Sequence, residues 1–288
     1  MKQRICYTII CSLILSLSNM RAQEVIQLYD GSAPGSETWD WEEGMFQDKI
    51  TGVTRPTLTV YRPENPNGIG IVVCPGGAFC FLSFDQEGVN LSKCLNEKGI
   101  TCFILKYRLC HADNIMDLLK EVFVENNLDA VGADVIPLAI QDGGKAISYV
   151  RSHAAEYGLD PNKIGITGSS AGGTVTMGTA MKFTDDECRP NFAVATYPYF
   201  SPHIGGNEAP SEHPLPLFIT AASNDQMVPI KHSLDFYNLW LEKKQSVEMH
   251  IYQKGDHGFV GTKLGLAVDD WTENLFRWFG DIYPENMK

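Results

Sequence analysis

Three things are scarce in this 288-residue sequence: positive charge, paired cysteines and, after its first segment, long apolar runs. Lys and Arg number 23 against 35 Asp and Glu, a net charge of −12. A surface of that sign repels phosphate backbones and anionic lipid, which argues against nucleic acid or a membrane as partner. None of the eight cysteines stands in a C-x-x-C pair, and no Cys/His cluster has zinc-ligand spacing, so no metal site is expected. Beyond residue 22 no run reaches the roughly 18 apolar residues of a membrane helix, and membrane insertion is not expected. Internal repeats, low-complexity tracts and linkers are missing too, and residues 23–288 are read as one domain.

What is present begins with a leader. Lys2 and Arg4 precede an apolar core, Ile5 to Leu17, and a small-polar stretch runs to Ala22. That order of basic, apolar and small-polar segments predicts a secretory signal peptide over 1–22, cut after Ala22, and an exported periplasmic or extracellular protein. Without Lys2, Arg4 and Arg21 the balance moves from −12 to −15. Export would permit disulfides. Yet Cys74 (Ile-Val-Val-Cys) and Cys102 (Ile-Thr-Cys-Phe-Ile-Leu) lie in apolar runs, and buried thiols are favoured over bridges.

Residues 24–53 are polar and turn-rich, with an exposed-looking pair, Trp39 and Trp41. Strand and helix patterns then alternate. Apolar runs at 54–61, 69–74, 100–107, 163–167, 192–197, 216–222 and 247–252 predict strands. Helical periodicity covers 87–98, 133–157, 171–182, 230–244 and 269–279. The alternation implies an α/β fold, a mostly parallel sheet with helices on both faces. Segment 110–133 carries Ile115, Met116, Leu118, Leu119, Val122 and Phe123 in an amphipathic pattern. Two readings stand there: another surface-packed helix, or a lid insertion that excludes water and shapes substrate access.

The stretch Gly168-Ser169-Ser170-Ala171-Gly172 fits G-x-S-x-G between a β-branched run and a helical pattern. A serine on such a strand-to-helix turn presents its hydroxyl at the sheet edge, and the flanking glycines let strand and helix approach closely. A phosphate-cradling turn is the competing reading, but the P-loop Lys and the G-x-G-x-x-G spacing are missing, and no cofactor is expected. Serine needs a base. His257, in Gly255-Asp256-His257-Gly258-Phe259 after the last strand, is best placed. His250 falls mid-strand, and solvated helix faces account for His153 and His232. The orienting carboxylate is expected from Asp225, just past the strand at 216–222, rather than from Asp256, whose side chain should point away from its neighbour His257. The order Ser170, Asp225, His257 is that of α/β-hydrolases. Oxyanion donors are expected from the backbone N–H of Ala171 and from Gly77 and Ala78, in the turn after the strand at 69–74.

With these residues in view, the chain resembles secreted bacterial α/β-hydrolases of the acetylxylan-esterase type, related to the hormone-sensitive-lipase and dienelactone-hydrolase-like groups. The matching pieces are Pro75-Gly76-Gly77-Ala78-Phe79, Leu105-Lys106-Tyr107-Arg108-Leu109, the stretch 163–173, Ala222-Ser223-Asn224-Asp225-Gln226-Met227-Val228-Pro229 and the stretch 250–259. The resemblance implies the α/β-hydrolase fold, a Ser170–His257–Asp225 triad, oxyanion donors around Gly77 and Ala78, and acetylated plant polysaccharides or oligosaccharides as substrates. Two departures bear on the pocket: Ala78 stands where relatives often carry a third glycine, and 110–133 is longer than the usual connection.

The expected activity is therefore a serine carboxylesterase deacetylating xylan or xylo-oligosaccharides through an acyl-enzyme. Feruloyl or other carbohydrate esters are the near variant. A prolyl-oligopeptidase-like peptidase shares the triad order but carries a large N-terminal domain not seen here. A non-catalytic binding module is disfavoured by the intact Ser, Asp and His.

Overall fold

In the computed structural model, which describes residues 23–183, 185–204 and 215–287, each apolar run expected as a strand between residues 54 and 252 is one. The signal-peptide expectation falls on residues 1–22, outside the described residues. In chain order the strands are β1 (Val25–Gln27), β2 (Gly44–Phe46), β3 (Lys49–Thr51), β4 (Thr57–Tyr61), β5 (Gly70–Cys74), β6 (Phe81–Leu82), β7 (Thr101–Lys106), β8 (Ile164–Ser169), β9 (Ala193–Thr196), β10 (Leu217–Ala222) and β11 (Val247–Tyr252). The helices are α1 (Leu91–Asn96), α2 (Ile115–Phe123), α3 (Leu128–Val131), α4 (Val135–Ser152), α5 (Ala171–Met181), α6 (Lys231–Glu242) and α7 (Trp271–Ile282).

The main sheet runs β1-β4-β7-β5-β8-β9-β10-β11. From β7 to β11 every pairing is parallel, while β4 lies antiparallel between β1 and β7. Parallel strands need both faces covered, and their residues alternate between two cores. Val72, Phe103, Ile166 and Ile219 pack with residues of α4, α5 and α6. Ile71, Val73, Ile104 and Phe218 pack with α1 and α7. Strand β5 is hydrogen-bonded to β7 on one side and β8 on the other. Strand order reverses there, and the crevice outside the C-terminal ends of β5 and β8 is where such sheets bind ligands.

Differences from the sequence reading are local. The turn-rich stretch 24–53 contains β1 to β3, three-residue strands too short to show an alternating pattern; β2 and β3 join β6 in a small second sheet. Trp39 and Trp41 are half-buried rather than exposed, stacked on each other at 4.7 Å, with His111 stacked on Trp41 at 4.5 Å. The helix expected at 87–98 is preceded by a π-helical turn, Phe84–Asn90, so helical winding starts earlier than periodicity suggested. Cys74, Cys80, Cys94, Cys102 and Cys110 are thiols, and burial pushes the Cys110 pKa up to about 12. Among the described residues no helix is long and apolar enough to cross a membrane.

One buried ion pair fixes the C-terminal edge of β7. Arg108 and Asp142 are both fully buried. The guanidinium binds the carboxylate through Nε at 3.0 Å and one terminal nitrogen at 2.8 Å. Its remaining N–H groups donate to the carbonyls of Pro34 (2.6 Å) and Leu138 (3.0 Å), and Tyr29 donates to Asp142 at 3.0 Å. The N-terminal segment, the end of β7 and α4 thus meet at one charge. A buried pair contributes little net stability, but removing one partner strands the other. Arg108→Met is expected to lower the urea unfolding free energy by roughly 3–5 kcal/mol. A loss under about 1 kcal/mol would mean that the pair does not hold these segments.

Candidate active site

Strand β8 turns into α5 at a single residue, Ser170, whose φ of 54° and ψ of −120° lie outside the regions open to ordinary side chains. What holds it there is crowding. A Cβ on Gly172 would lie 1.9 Å from the Cys74 carbonyl oxygen, so only glycine lets the first turn of α5 press against the end of β5. The Ser170 N–H donates to the Thr196 carbonyl at 3.1 Å and its carbonyl accepts from Thr174 N–H at 3.0 Å, which pins both sides of the turn. The hydroxyl is left pointing into the crevice above the sheet.

Two loops complete the constellation. The loop after β11 brings His257 Nε2 to 2.9 Å from Ser170 Oγ. The loop after β10 brings Asp225 Oδ2 to 2.7 Å from His257 Nδ1. An Nδ1–H donating to the carboxylate leaves Nε2 as an acceptor for the serine proton. Asp225 is 4% exposed, and its other oxygen accepts the N–H groups of Met227 and Val228, each at 2.9 Å. Those bonds hold the carboxylate without neutralising it. Asp256 turns away and accepts from Asn224 Nδ2 at 2.6 Å. His250 stacks on Phe218 and pairs with Glu248, and His153 stacks on Tyr149. His232 departs from the solvated-face reading: its Nδ1 accepts the Phe200 N–H at 3.1 Å, its ring lies against Tyr199, and burial lowers its pKa.

A cavity of about 290 Å³ opens over Ser170. Ala78 and Ala171 line it beside Ser170 and His257, and their N–H groups have no acceptor among the described residues. Ala171 is the first residue of α5, so the partial positive charge of the helix N-terminus adds to its donor. Gly77 stands one residue back from the lining. Its φ of +142° and a Cβ position 1.9 Å from the Phe81 carbonyl oxygen require glycine, and this turn carries Ala78 forward with φ +52°.

Segment 110–133 forms the far wall. Asn114 caps α2 by accepting the Met116 N–H, and Val122, Phe123, Asn126, Leu128 and Asp129 reach the cavity. Asp129 accepts from the hydroxyls of Tyr199 (3.0 Å) and Ser201 (3.1 Å), which ties α3 to the chain after β9. Trp39 and Trp41 line a separate polar groove of about 550 Å³, and His111 stacks on Trp41. Sequence reasoning passed over Asp129, Tyr197 and Glu87. Of these only Glu87 left a signal: one helical turn before Leu91, it puts a charge on an apolar face. No group of three or more His, Cys, Asp or Glu among the described residues is arranged for a metal ion.

The crowding at Gly172 generates a direct expectation. Gly172→Ala should destabilise the fold by roughly 3 kcal/mol or more, since the Cys74 carbonyl belongs to a central strand and cannot withdraw. It should also abolish covalent labelling of Ser170 by a fluorophosphonate. Thermal unfolding and intact mass after labelling check both, and a stable, fully labelled variant would refute the role of this contact.

Comparison with known proteins agrees with the geometry. Residues 114–197 match the family described as BD-FAE. An acetylxylan esterase from Xylanibacter ruminicola is 29% identical over 78% of this chain and 48% of its own length. Endo-1,4-beta-xylanase B of Butyrivibrio fibrisolvens is 22% identical over 84% of this chain and 39% of its own length. The chain thus spans less than half the length of either relative. Among solved structures, an acetyl ester-xyloside bifunctional hydrolase from Caldicellulosiruptor lactoaceticus superposes with a TM-score of 0.65 at 24% identity, covering 90% of this chain and 96% of that one. By its sheet and its crevice the chain has the α/β-hydrolase fold, and it is similar in sequence to an acetylxylan esterase.

Proposed function

We propose that this chain is a serine carboxylesterase that removes acetyl groups from xylan-derived saccharides. The observation that carries the proposal is the hydrogen-bonded series Asp225–His257–Ser170, at 2.7 and 2.9 Å, ending on a serine held at positive φ. His257 Nε2 takes the Oγ proton as Ser170 attacks the ester carbonyl, and Asp225 stabilises the imidazolium that forms. The N–H groups of Ala78 and Ala171 receive the oxyanion. The imidazolium then protonates the departing sugar oxygen, leaving an acetyl–Ser170 ester. Water, deprotonated by the same nitrogen, releases acetate and restores the serine.

Substrate class is argued from the cavity and the relatives together. About 290 Å³, partly enclosed by Phe123, Leu128, Met227 and Val228, sits at the small end of ligand sites, about 300–1,000 Å³. A short acyl group fits beside the oxyanion donors, while Asn126, Asp129, Tyr199 and Gln226 offer polar partners to an alcohol rich in hydroxyls. The likeness to an acetylxylan esterase over 78% of this chain supports acetylated xylose units as that alcohol. The leader-like order of residues 1–22 supports action outside the cytoplasm, and the α2–α3 arm is proposed to act as a lid over the acyl site.

Hydrolysis of p-nitrophenyl acetate, p-nitrophenyl octanoate and acetylated xylo-oligosaccharide tests this. The acetyl ester should be turned over roughly tenfold or more faster than the octanoyl ester. Ser170→Ala should lower kcat by at least about a thousandfold with the fold intact. Turnover that survives Ser170→Ala would remove the serine from the mechanism. Preference for the long acyl chain, or for feruloyl esters over acetylated saccharide, would displace the acetyl assignment and keep the esterase.

A further inference from the structure

Glu87 is a carboxylic side chain, 6% exposed, that no step of the reaction above uses. It belongs to the π-helical turn Phe84–Asn90, which packs tightly on the sheet: a Cβ on its Gly88 would fall 2.9 Å from Ile104 and 3.3 Å from Pro75. Winding of this kind recurs at functional sites. Here it turns Glu87 inward, beneath the serine elbow.

Three donors converge on the carboxyl group. Gly76 N–H, in the oxyanion turn, donates to Oε2 at 2.6 Å. The hydroxyl of Ser169, the residue before the nucleophile, donates to the same oxygen at 2.5 Å. The Tyr197 hydroxyl donates to Oε1 across 3.5 Å, and its own oxygen accepts the Val260 N–H at 3.3 Å. A group that only accepts is satisfied as a carboxylate. Burial pushes its pKa up, and the bonds from Ser169 and Gly76 and the charge of a protonated His257 offset that only in part.

The same turn grips the histidine loop. The Tyr197 ring packs against His257 at 4.5 Å and Phe259 at 4.7 Å. Gln86 Nε2 donates to the carbonyls of Gly258 (2.9 Å) and Val260 (3.2 Å), and Asn90 Nδ2 donates to the Gly261 carbonyl at 3.2 Å. Oxyanion turn, nucleophile elbow and base loop leave three different strands, and this turn joins all three.

We infer that Glu87 is the positioning residue of this site, its carboxylate clamping the oxyanion turn to the serine elbow at Gly76 and Ser169 and, through Tyr197, setting the plane of His257. The inference rests on the serine-esterase reading. Its effect is on the transition state rather than on substrate affinity, because the groups it aligns matter most once the oxyanion and imidazolium form. Misplacing such groups by about 1 Å can cost around a hundredfold.

The test compares Glu87→Gln, Tyr197→Phe and the double variant with wild type on p-nitrophenyl acetate, with thermal unfolding alongside. Glu87→Gln keeps the shape but replaces one acceptor oxygen by a donor. Its kcat should fall roughly ten- to a hundredfold with KM within about twofold. Tyr197→Phe, which keeps the ring on His257 and loses the hydroxyl, should lower kcat by a smaller factor. The double variant should be little worse than Glu87→Gln, since both cut one connection. An unchanged kcat in folded Glu87→Gln, or losses that multiply in the double variant, would overturn the inference. So would a loss confined to KM. If Glu87→Gln does not fold, Tyr197→Phe decides alone, and an unchanged kcat there overturns it. A wild type without ester turnover would sink the esterase reading and this inference together, whereas an active wild type matched by its variants sinks only the clamp.

Discussion

The contact between Gly172 and the Cys74 carbonyl is the constraint on which the rest of this structure depends. It lets the first turn of α5 rest against the end of β5, closer than any residue with a Cβ at position 172 could come. With the helix that close, the chain must reverse at Ser170, and a positive φ follows from the space available. The strain, of order 1–3 kcal/mol, is offset by the parallel strands on either side of β8, whose residues are fully buried. A rigid sheet is what makes a strained serine tenable, and the position of its hydroxyl is inherited from that sheet.

Around this point the molecule uses buried polar groups where apolar packing could not specify direction. Arg108 and Asp142 join the N-terminal segment, the end of β7 and α4 by fixed donor–acceptor geometry. The turn that carries Glu87 does the same for the three loops that meet at the site, Glu87 holding Gly76 and Ser169 while Gln86 and Asn90 hold the loop of His257. Such groups add little net stability, because desolvation consumes most of what their bonds return. They add orientation: a carboxylate with three donors has one satisfactory arrangement, whereas an apolar contact tolerates sliding.

The wall over the site is built differently. Helix α2 shows an apolar face to the protein with Leu118 and Val122 buried, yet Met116 at its start and Phe123 and Val124 at its end remain exposed. The arm is held to the chain after β9 by side-chain bonds from Asp129 to Tyr199 and Ser201. A few polar ties over a partly exposed apolar rim hold this wall more lightly than the elbow beneath it is held.

How much of this was legible beforehand follows from the range of each interaction. Long apolar runs, the G-x-S-x-G turn and the order Ser170, Asp225, His257 are local patterns, and they suffice for the α/β class and for naming which serine, carboxylate and histidine meet. Gly172 and Gly77 could be read as turn glycines, but what requires Gly172, a carbonyl of β5 that would lie 1.9 Å from a Cβ there, is a property of packing. Strands β1 to β3 escaped because three residues are too few to show a period. His232 looked solvated because its partners, Phe200 and Tyr199, lie some thirty residues away. The sequence alone thus determined the chemistry available to this protein, since side-chain identity and short-range order suffice for that. Only the tertiary structure decided that Ala78 rather than Gly77 lines the cavity beside Ser170, that Asp129 ties the arm over it, and that Glu87 lies beneath it. Those outcomes depend on distances between segments far apart in the chain, which close packing of the sheet sets and no local pattern encodes.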